Sequence, residues 1–223
     1  MNGLNGTSGA SGPKAICVPH LAWIVSLAGL ALCASRMQAQ TGKLAAAAPV
    51  SYDNRFQVYG GLNYMNFQAG QSVPKLMNLG GAEASITYWV SPRWGAVGDI
   101  RGDAGTSPVF ANPTFNGRAL VVLYTGMGGA EFRVKQNQRA ALDLHALAGV
   151  SHGKFDYTTT PNQTGFYANP TKPIFALGAS VDVNRSKNVA IRLQPDLILE
   201  HYGNELREFF SISGGVVYRF GQR

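Results

Sequence analysis

The residues able to do chemistry in this chain come at intervals of two. Asp99, Arg101 and Asp103 alternate with Ile100 and Gly102, Glu131 and Arg133 flank Phe132, and Arg192, Gln194 and Asp196 repeat the spacing. Glu83, Asp143, Asp182, Glu200 and Arg219 lie in stretches with the same alternation. A step of two puts side chains on one face of an extended strand. Carboxylates and guanidiniums sharing such a face have two possible uses. They can neutralise one another in forked, hydrogen-bonded pairs, or they can line a path for ions. If the face is enclosed, isolated charges are costly and an ion-pair network is the expectation.

The elements that position these residues can be read from the same periodicity. Eight segments alternate apolar and polar: 55–67, 78–90, 93–103, 118–134, 139–153, 173–184, 188–202 and 207–220. In nearly all of them the charges keep to one register, Arg118 and Glu208 excepted. The second presents Ala82, Ala84, Ile86, Tyr88 and Val90 against Glu83, Ser85 and Thr87. The last presents Phe210, Ile212, Gly214, Val216, Tyr218 and Phe220 on its apolar register. Connections alternate between short (Ser91-Pro92, 135–138, 185–187) and longer (68–77, 104–117, 154–172), with 203–206 brief. The expected fold is all-β, an eight-stranded antiparallel up-and-down transmembrane β-barrel.

Charged residues make up only 14% of the 223, against about 25% in soluble domains. Leu21 to Cys33 is apolar but, at 13 residues, too short for a membrane-spanning helix of about 20. With Lys14 and His20 before it and small residues after it, the stretch has the build of a secretory signal. Residues 1–39 are read as the signal, cut after Ala39 (with Ala34 or Ser35 as the alternative site), 40–54 as a short periplasmic lead-in, and 55–223 as the barrel. Both cysteines, Cys17 and Cys33, fall in the signal, so the mature chain is expected to carry no thiolate site. Leu32 stands where a lipobox needs a small residue. Cations gather in the connections, with Arg93, Lys135, Arg139, Arg185 and Lys187 at one end and Lys75, Lys154 and Lys172 at the other. They are read as solvated charge or as attraction to anionic head groups.

Alternation does not say which face points inward. A soluble lipocalin-like barrel would bury the apolar register around a ligand, whereas a membrane barrel exposes it to lipid. The signal favours the membrane, and so does strand length. About eleven residues tilted by about 40° rise roughly 28 Å, close to the apolar band of about 25 Å. Aromatic residues also cluster near strand ends. Phe56, Tyr88, Trp94, Phe132, Tyr218 and Phe220 are assigned to a girdle on the short-turn side, with Tyr64, Phe175 and Phe210 toward the other interface. Pro195, on the lipid-facing register of the seventh segment, predicts a bulge or a local break.

The closing stretch Phe209 to Phe220, FFSISGGVVYRF, and the preceding RLQPD at Arg192 to Asp196 resemble the small outer-membrane β-barrel family of the OmpA and OmpX type, over roughly 55–220. The resemblance implies residence in the bacterial outer membrane, in contact with its lipid. It also implies delivery by the barrel-assembly machinery, which would read Phe210, Ile212, Val216, Tyr218 and Phe220. Gly221-Gln222-Arg223 extend the chain past the terminal aromatic that such signals favour. The inward register would then hold Glu83, Asp99, Asp103, Glu131, Asp143, Asp182, Asp196 and Glu200 with Arg101, Arg133, Arg192 and Arg219, and a polar filling of side chains is expected. A narrow ion-conducting pore is the alternative.

Enzymatic readings are weaker. His201-Tyr202-Gly203-Asn204 is similar to the His-x-Ser-Asn arrangement of lipid A deacylases, but Gly203 stands where the serine nucleophile would be. His145 and His152, seven apart, fall on opposite faces of a strand and cannot share a metal there. Gly126-Met127-Gly128-Gly129 precedes no helix and is not a phosphate loop. Arg101-Gly102-Asp103 spells an adhesion tripeptide, a match short enough to recur by chance. The expectation is therefore no catalysis, no cofactor and no metal. The role is structural or interactive, with recognition through the loops at 154–172 and 104–117.

Overall fold

The computed structural model describes residues 50, 52–68, 76–106, 120–155, 171–202 and 205–222, without the side chains of Tyr202 and Glu205. The expected signal at 1–39, most of the expected lead-in and the centres of the longer loops lie outside the described residues. Eight strands follow in order: β1 (Asn54–Phe67), β2 (Met77–Trp89), β3 (Trp94–Thr106), β4 (Leu120–Gln136), β5 (Ala140–Phe155), β6 (Thr171–Asn184), β7 (Val189–Tyr202) and β8 (Glu205–Gln222). Each pairs antiparallel with its chain neighbours, and β1 pairs with β8, closing a barrel. The alternation placed every strand within a few residues of where it lies.

The stagger of this closure can be traced through the ladder. From Trp89 on β2 the partners run Gly95, Glu131, His145, Gly178, Asp196, Ser211 and Met65, and Met65 pairs back on β2 with Leu79. One circuit therefore shifts the register by the ten residues between Trp89 and Leu79. Eight strands with that shear tilt by roughly 40° and leave an interior only wide enough for side chains.

The outer face is apolar. Leu62, Ile100, Leu144, Leu177, Leu193 and Val216 are exposed there, Leu62 at 75% and Leu177 at 50%. The inner face carries the buried charges, the reverse of a soluble ligand-binding barrel. Two irregularities interrupt the ladders. Between β6 and β7, Gly178 pairs with Asp196 and Val181 with Leu193, but the pairs between them are missing, opposite Pro195. Proline has no N–H to give, so its ladder breaks locally while the register is kept. The β7–β8 ladder runs through Pro195 to Ile212 unbroken. The second irregularity is a bulge in β4, where Arg133 pairs with Asp143 and Lys135 with Leu142, leaving Val134 as the extra residue.

Leu177→Arg tests the face assignment at mid-strand. A charge placed in lipid there is expected to destabilise the folded barrel by about 2–4 kcal/mol in vesicle-based denaturant titration. If that face met water, the same substitution would leave stability nearly unchanged.

Candidate functional site: the barrel interior

Each hairpin with a short turn brings one arginine opposite one carboxylate. Glu83 faces Arg101 across β2–β3, Arg133 faces Asp143 across β4–β5, and Asp182 faces Arg192 across β6–β7. Arg133 grips Asp143 with both arms of its fork, at 2.8 and 3.1 Å. Arg192 does the same to Asp182, at 2.7 and 3.2 Å. The fourth arginine, Arg219 on β8, joins the strands at the seam. Its three nitrogens donate to Gln57 on β1 at 3.2 Å, to Asn184 at 2.7 Å and to Asp182 at 2.7 Å. Asp182, fully buried, thus serves two arginines. Arg192 reaches across the lumen to Glu131 at 3.3 Å, and Thr87 donates to the other oxygen of Glu131 at 2.8 Å.

Above this layer Arg101 collects three acids. It lies 2.8 Å from Asp99, 3.4 Å from Glu83 and 2.6 Å from Asp196. Gln194 donates to Glu83 at 2.7 Å. Asp196 also meets His145 Nε2 at 2.7 Å. These two residues sit on strands separated by β6, in one row of the ladder, with Gly178 between them. A Cβ on Gly178 would stand 2.6 Å from His145 Nε2 and 2.7 Å from the Pro195 carbonyl oxygen, and would strike Asp196 Oδ1 as well. Only a residue without a side chain leaves room for the contact, and the break at Pro195 lies beside it. Asn63 donates to Asp103 at 2.9 Å and accepts from Ser211 at 2.7 Å. Glu200, fully buried, is the inward carboxylate toward the loop end, opposite Arg207 in the β7–β8 ladder.

Glu83, Asp99, Arg101, Glu131, Arg133, Asp143, Asp182, Arg192, Asp196, Glu200 and Arg219 are all buried on the inner face. The structure thus brings together in the lumen the residues that the spacing of two singles out. With Arg101 and Asp103 both enclosed, the tripeptide they form with Gly102 is not an exposed adhesion signal. His145 is buried and His152 exposed. His152 lies 2.9 Å from Thr171 Oγ1. Of the stretch similar to the deacylase motif, His201 is exposed at the loop end of β7, while Gly203 and Asn204 lie outside the described residues. No cluster of metal-binding side chains occurs among the described residues.

A polar filling throughout is corrected by the structure. Toward the long loops the lumen is largely apolar, with Glu200 set among Met65, Phe67, Met77, Leu79, Val121, Leu123, Met127, Leu147, Phe155, Ile174, Ile198 and Phe209. The Phe67 and Phe209 rings pack at 4.9 Å. Alternation reveals a face only by contrast. In Leu120 to Tyr124 and in Phe209-Phe210 both registers are apolar, and the contrast disappears.

At the opposite mouth Tyr52 packs against the barrel end, a contact with no periodic signal. Tyr52 donates to the Asn137 carbonyl at 2.9 Å and accepts from Asn184 at 2.7 Å. The guanidiniums of Arg133 and Arg219 lie 4.8 and 5.0 Å from its ring centre. Arg133 also stacks on Trp89 at 3.8 Å. Outside, at the same level, Phe56 packs on Tyr88 at 5.2 Å and on Phe220 at 5.4 Å, Tyr218 lies 6.0 Å from Phe220, and Trp94 meets Phe132 at 4.7 Å. The six girdle aromatics form contacts around this rim.

Asp182→Asn leaves Arg192 and Arg219 without their shared anion and is expected to cost about 3–5 kcal/mol of unfolding free energy. Gly178→Ala is expected to separate His145 from Asp196, seen as a shift of the His145 ring resonances in detergent-solubilised protein. Unchanged resonances would show that the contact does not depend on the glycine.

Among the solved structures that share this fold are three outer-membrane proteins. Ail, the attachment invasion locus protein of Yersinia pestis, aligns at 18% identity over 75% of this chain and 99% of its own, with a TM-score of 0.51. Neisserial surface protein A aligns at 14% over 74% and 97%, with a TM-score of 0.53. The outer membrane protein OprG from Pseudomonas aeruginosa aligns at 10% over 77% and 98%, also at 0.53. No family model and no curated protein matches the chain. Closed on itself, apolar outside and ion-paired within, the chain has the fold of the small eight-stranded outer-membrane β-barrels, and its lipid-facing belt sets it in that membrane.

Proposed function

We propose that the protein is a closed, non-enzymatic scaffold of the outer membrane that presents its longer loops for surface interaction. The observation that carries this reading is the filled lumen. Tyr52 lies under one mouth, four arginines bridge the walls above it, and an apolar layer around Phe67 and Phe209 occupies the other end. A narrow pore needs a continuous wet path, and a largely apolar layer of packed side chains opposes one. Two of the structural neighbours are named for attachment and for the cell surface, and Ail has also been solved with the heparin analogue sucrose octasulfate. Those names favour a surface role for this chain without specifying a ligand. The lack of a serine at Gly203 argues against a deacylase.

The same reading has the chain exported by the signal at 1–39 and inserted by the barrel-assembly machinery. The outward residues Phe210, Ile212, Val216, Tyr218 and Phe220 of β8 would be the strand that machinery reads. The short turns would then face the periplasm and the loops the exterior.

In planar lipid bilayers the purified protein is expected to give no unitary conductance, and steady ion-selective steps would overturn the closed-scaffold reading. Orientation can be tested separately with single cysteines. Thr164→Cys in the long loop is expected to react with an impermeant maleimide on intact cells. Gln138→Cys in the β4–β5 turn is expected to react only after the outer membrane is permeabilised.

A further inference from the structure

We infer that the short-turn rim is a binding surface for anionic phospholipid head groups of the periplasmic leaflet. The inference rests on the orientation proposed above and adds a ligand class to it. Each of the three short turns carries exposed cations. Arg93 lies between β2 and β3, Lys135 and Arg139 flank the β4–β5 turn, and Arg185 and Lys187 lie between β6 and β7. Among the described residues none of these five forms an ion pair, whereas all four arginines of the lumen do. Asp53 is the one exposed acid at this end among the described residues. With Arg55 exposed beside Asp53, the rim therefore carries a net positive charge.

Two observations turn that charge toward lipid rather than toward water. The first is the bulge at Val134. Without it, Lys135 would follow Arg133 onto the inward register. With the extra residue, Lys135 pairs with Leu142, whose side chain lies on the outer face. A bulge that re-aims one side chain is a directed feature of a strand, and here it points a cation outward at the edge of the apolar belt. The second is the aromatic girdle. Arg93 directly precedes Trp94, which is 56% exposed and packs on Phe132. Amphipathic rings settle at the boundary between acyl chains and head groups. Cations one or two residues beyond them reach the level of the phosphates, and long stems can extend toward it.

Among the described residues the other end lacks this arrangement. There Lys154 is exposed, Lys172 and Arg207 are half-buried, Arg207 donates to Gln68 at 2.8 Å, and Glu208 is exposed nearby on β8. Among the described residues the unpaired cations gather at the short-turn side, which suits an anionic phospholipid surface there.

The test uses the whole folded barrel in phosphatidylcholine vesicles containing brominated phosphatidylglycerol, with quenching of Trp94 as the readout. Trp89 is buried against Arg133 and serves as the shielded background. The wild type is expected to prefer phosphatidylglycerol over phosphatidylcholine by about fivefold for each cation in contact. The preference should collapse toward one in 0.5 M salt. Replacing the five cations together by glutamine is expected to bring the ratio to one while the unheated protein keeps its folded gel mobility. Lys154→Gln with Lys172→Gln is expected to leave the ratio unchanged. If the fivefold variant does not fold, Arg185→Gln with Lys187→Gln in the β6–β7 turn should still lower the ratio.

A wild-type ratio of one, or a preference that survives neutralisation, overturns the proposal. So does a rim that retains soluble polyglutamate but shows no lipid preference, since the surface would then suit an acidic soluble partner. The vesicle measurement does not depend on which way the barrel faces in the cell, and the cysteine labelling reads that orientation. Failure of one is therefore distinguishable from failure of the other.

Discussion

The pairing of β1 with β8 is the constraint on which the rest of the structure depends. In lipid no water is available to an unpaired backbone N–H or C=O, so a sheet survives there only if it has no edge. The ladder from Asn54–Gln222 to Met65–Ser211 removes both edges at once. Closure fixes the shear at ten residues, and eight strands at that shear set a cross-section that side chains must fill. The inward faces then have little freedom. Their side chains either meet across the lumen or leave voids.

The two halves of the lumen meet that demand differently. Near the short turns, long arginine side chains span from wall to wall and join strands that are not neighbours in the ladder. Arg192 links β7 to β4 through Glu131, and Arg101 links β3 to β7 through Asp196. Such pairs give modest net stability, because desolvation offsets much of the attraction. Their effect is to make the removal of any one partner costly, which favours a single arrangement of the interior. Near the long loops most of the same volume is filled by Met, Phe, Leu and Ile, which need no partners, with Glu200 as the buried carboxylate among them. Gly178 and Pro195 mark where the polar half departs from a regular wall. An absent side chain and an absent N–H adjoin the contact between His145 and Asp196.

The outer surface has a comparable division. Its middle is an uninterrupted apolar band, and its short-turn edge carries stacked aromatic rings followed by unpaired cations. Paired arginines inside and unpaired ones at the rim are a few residues apart in sequence. Arg133 and Lys135 differ by two positions, yet one is buried on Asp143 and Trp89 and the other is exposed.

The sequence by itself determined the number of strands, their approximate extent and which residues share a register, because a strand repeats every two residues. The register that meets lipid followed from strand length and the aromatics near strand ends, since lipid excludes charge from the register that faces it. Glu83, Asp99, Arg133, Asp182 and their companions could be assigned to one enclosed face for that reason. The same argument was silent where both registers are apolar, so the Phe67–Phe209 layer stayed hidden. Only the tertiary structure decided who meets whom. Arg101 with Asp196, Asp182 with Arg219, and His145 with Asp196 depend on stagger and closure, which join residues from different hairpins. The placement of Tyr52 under the mouth and the outward turn of Lys135 are likewise set by contacts across the barrel and by one extra residue in a ladder. Alternation is a local property of one strand, whereas pairing is a property of the closed ring.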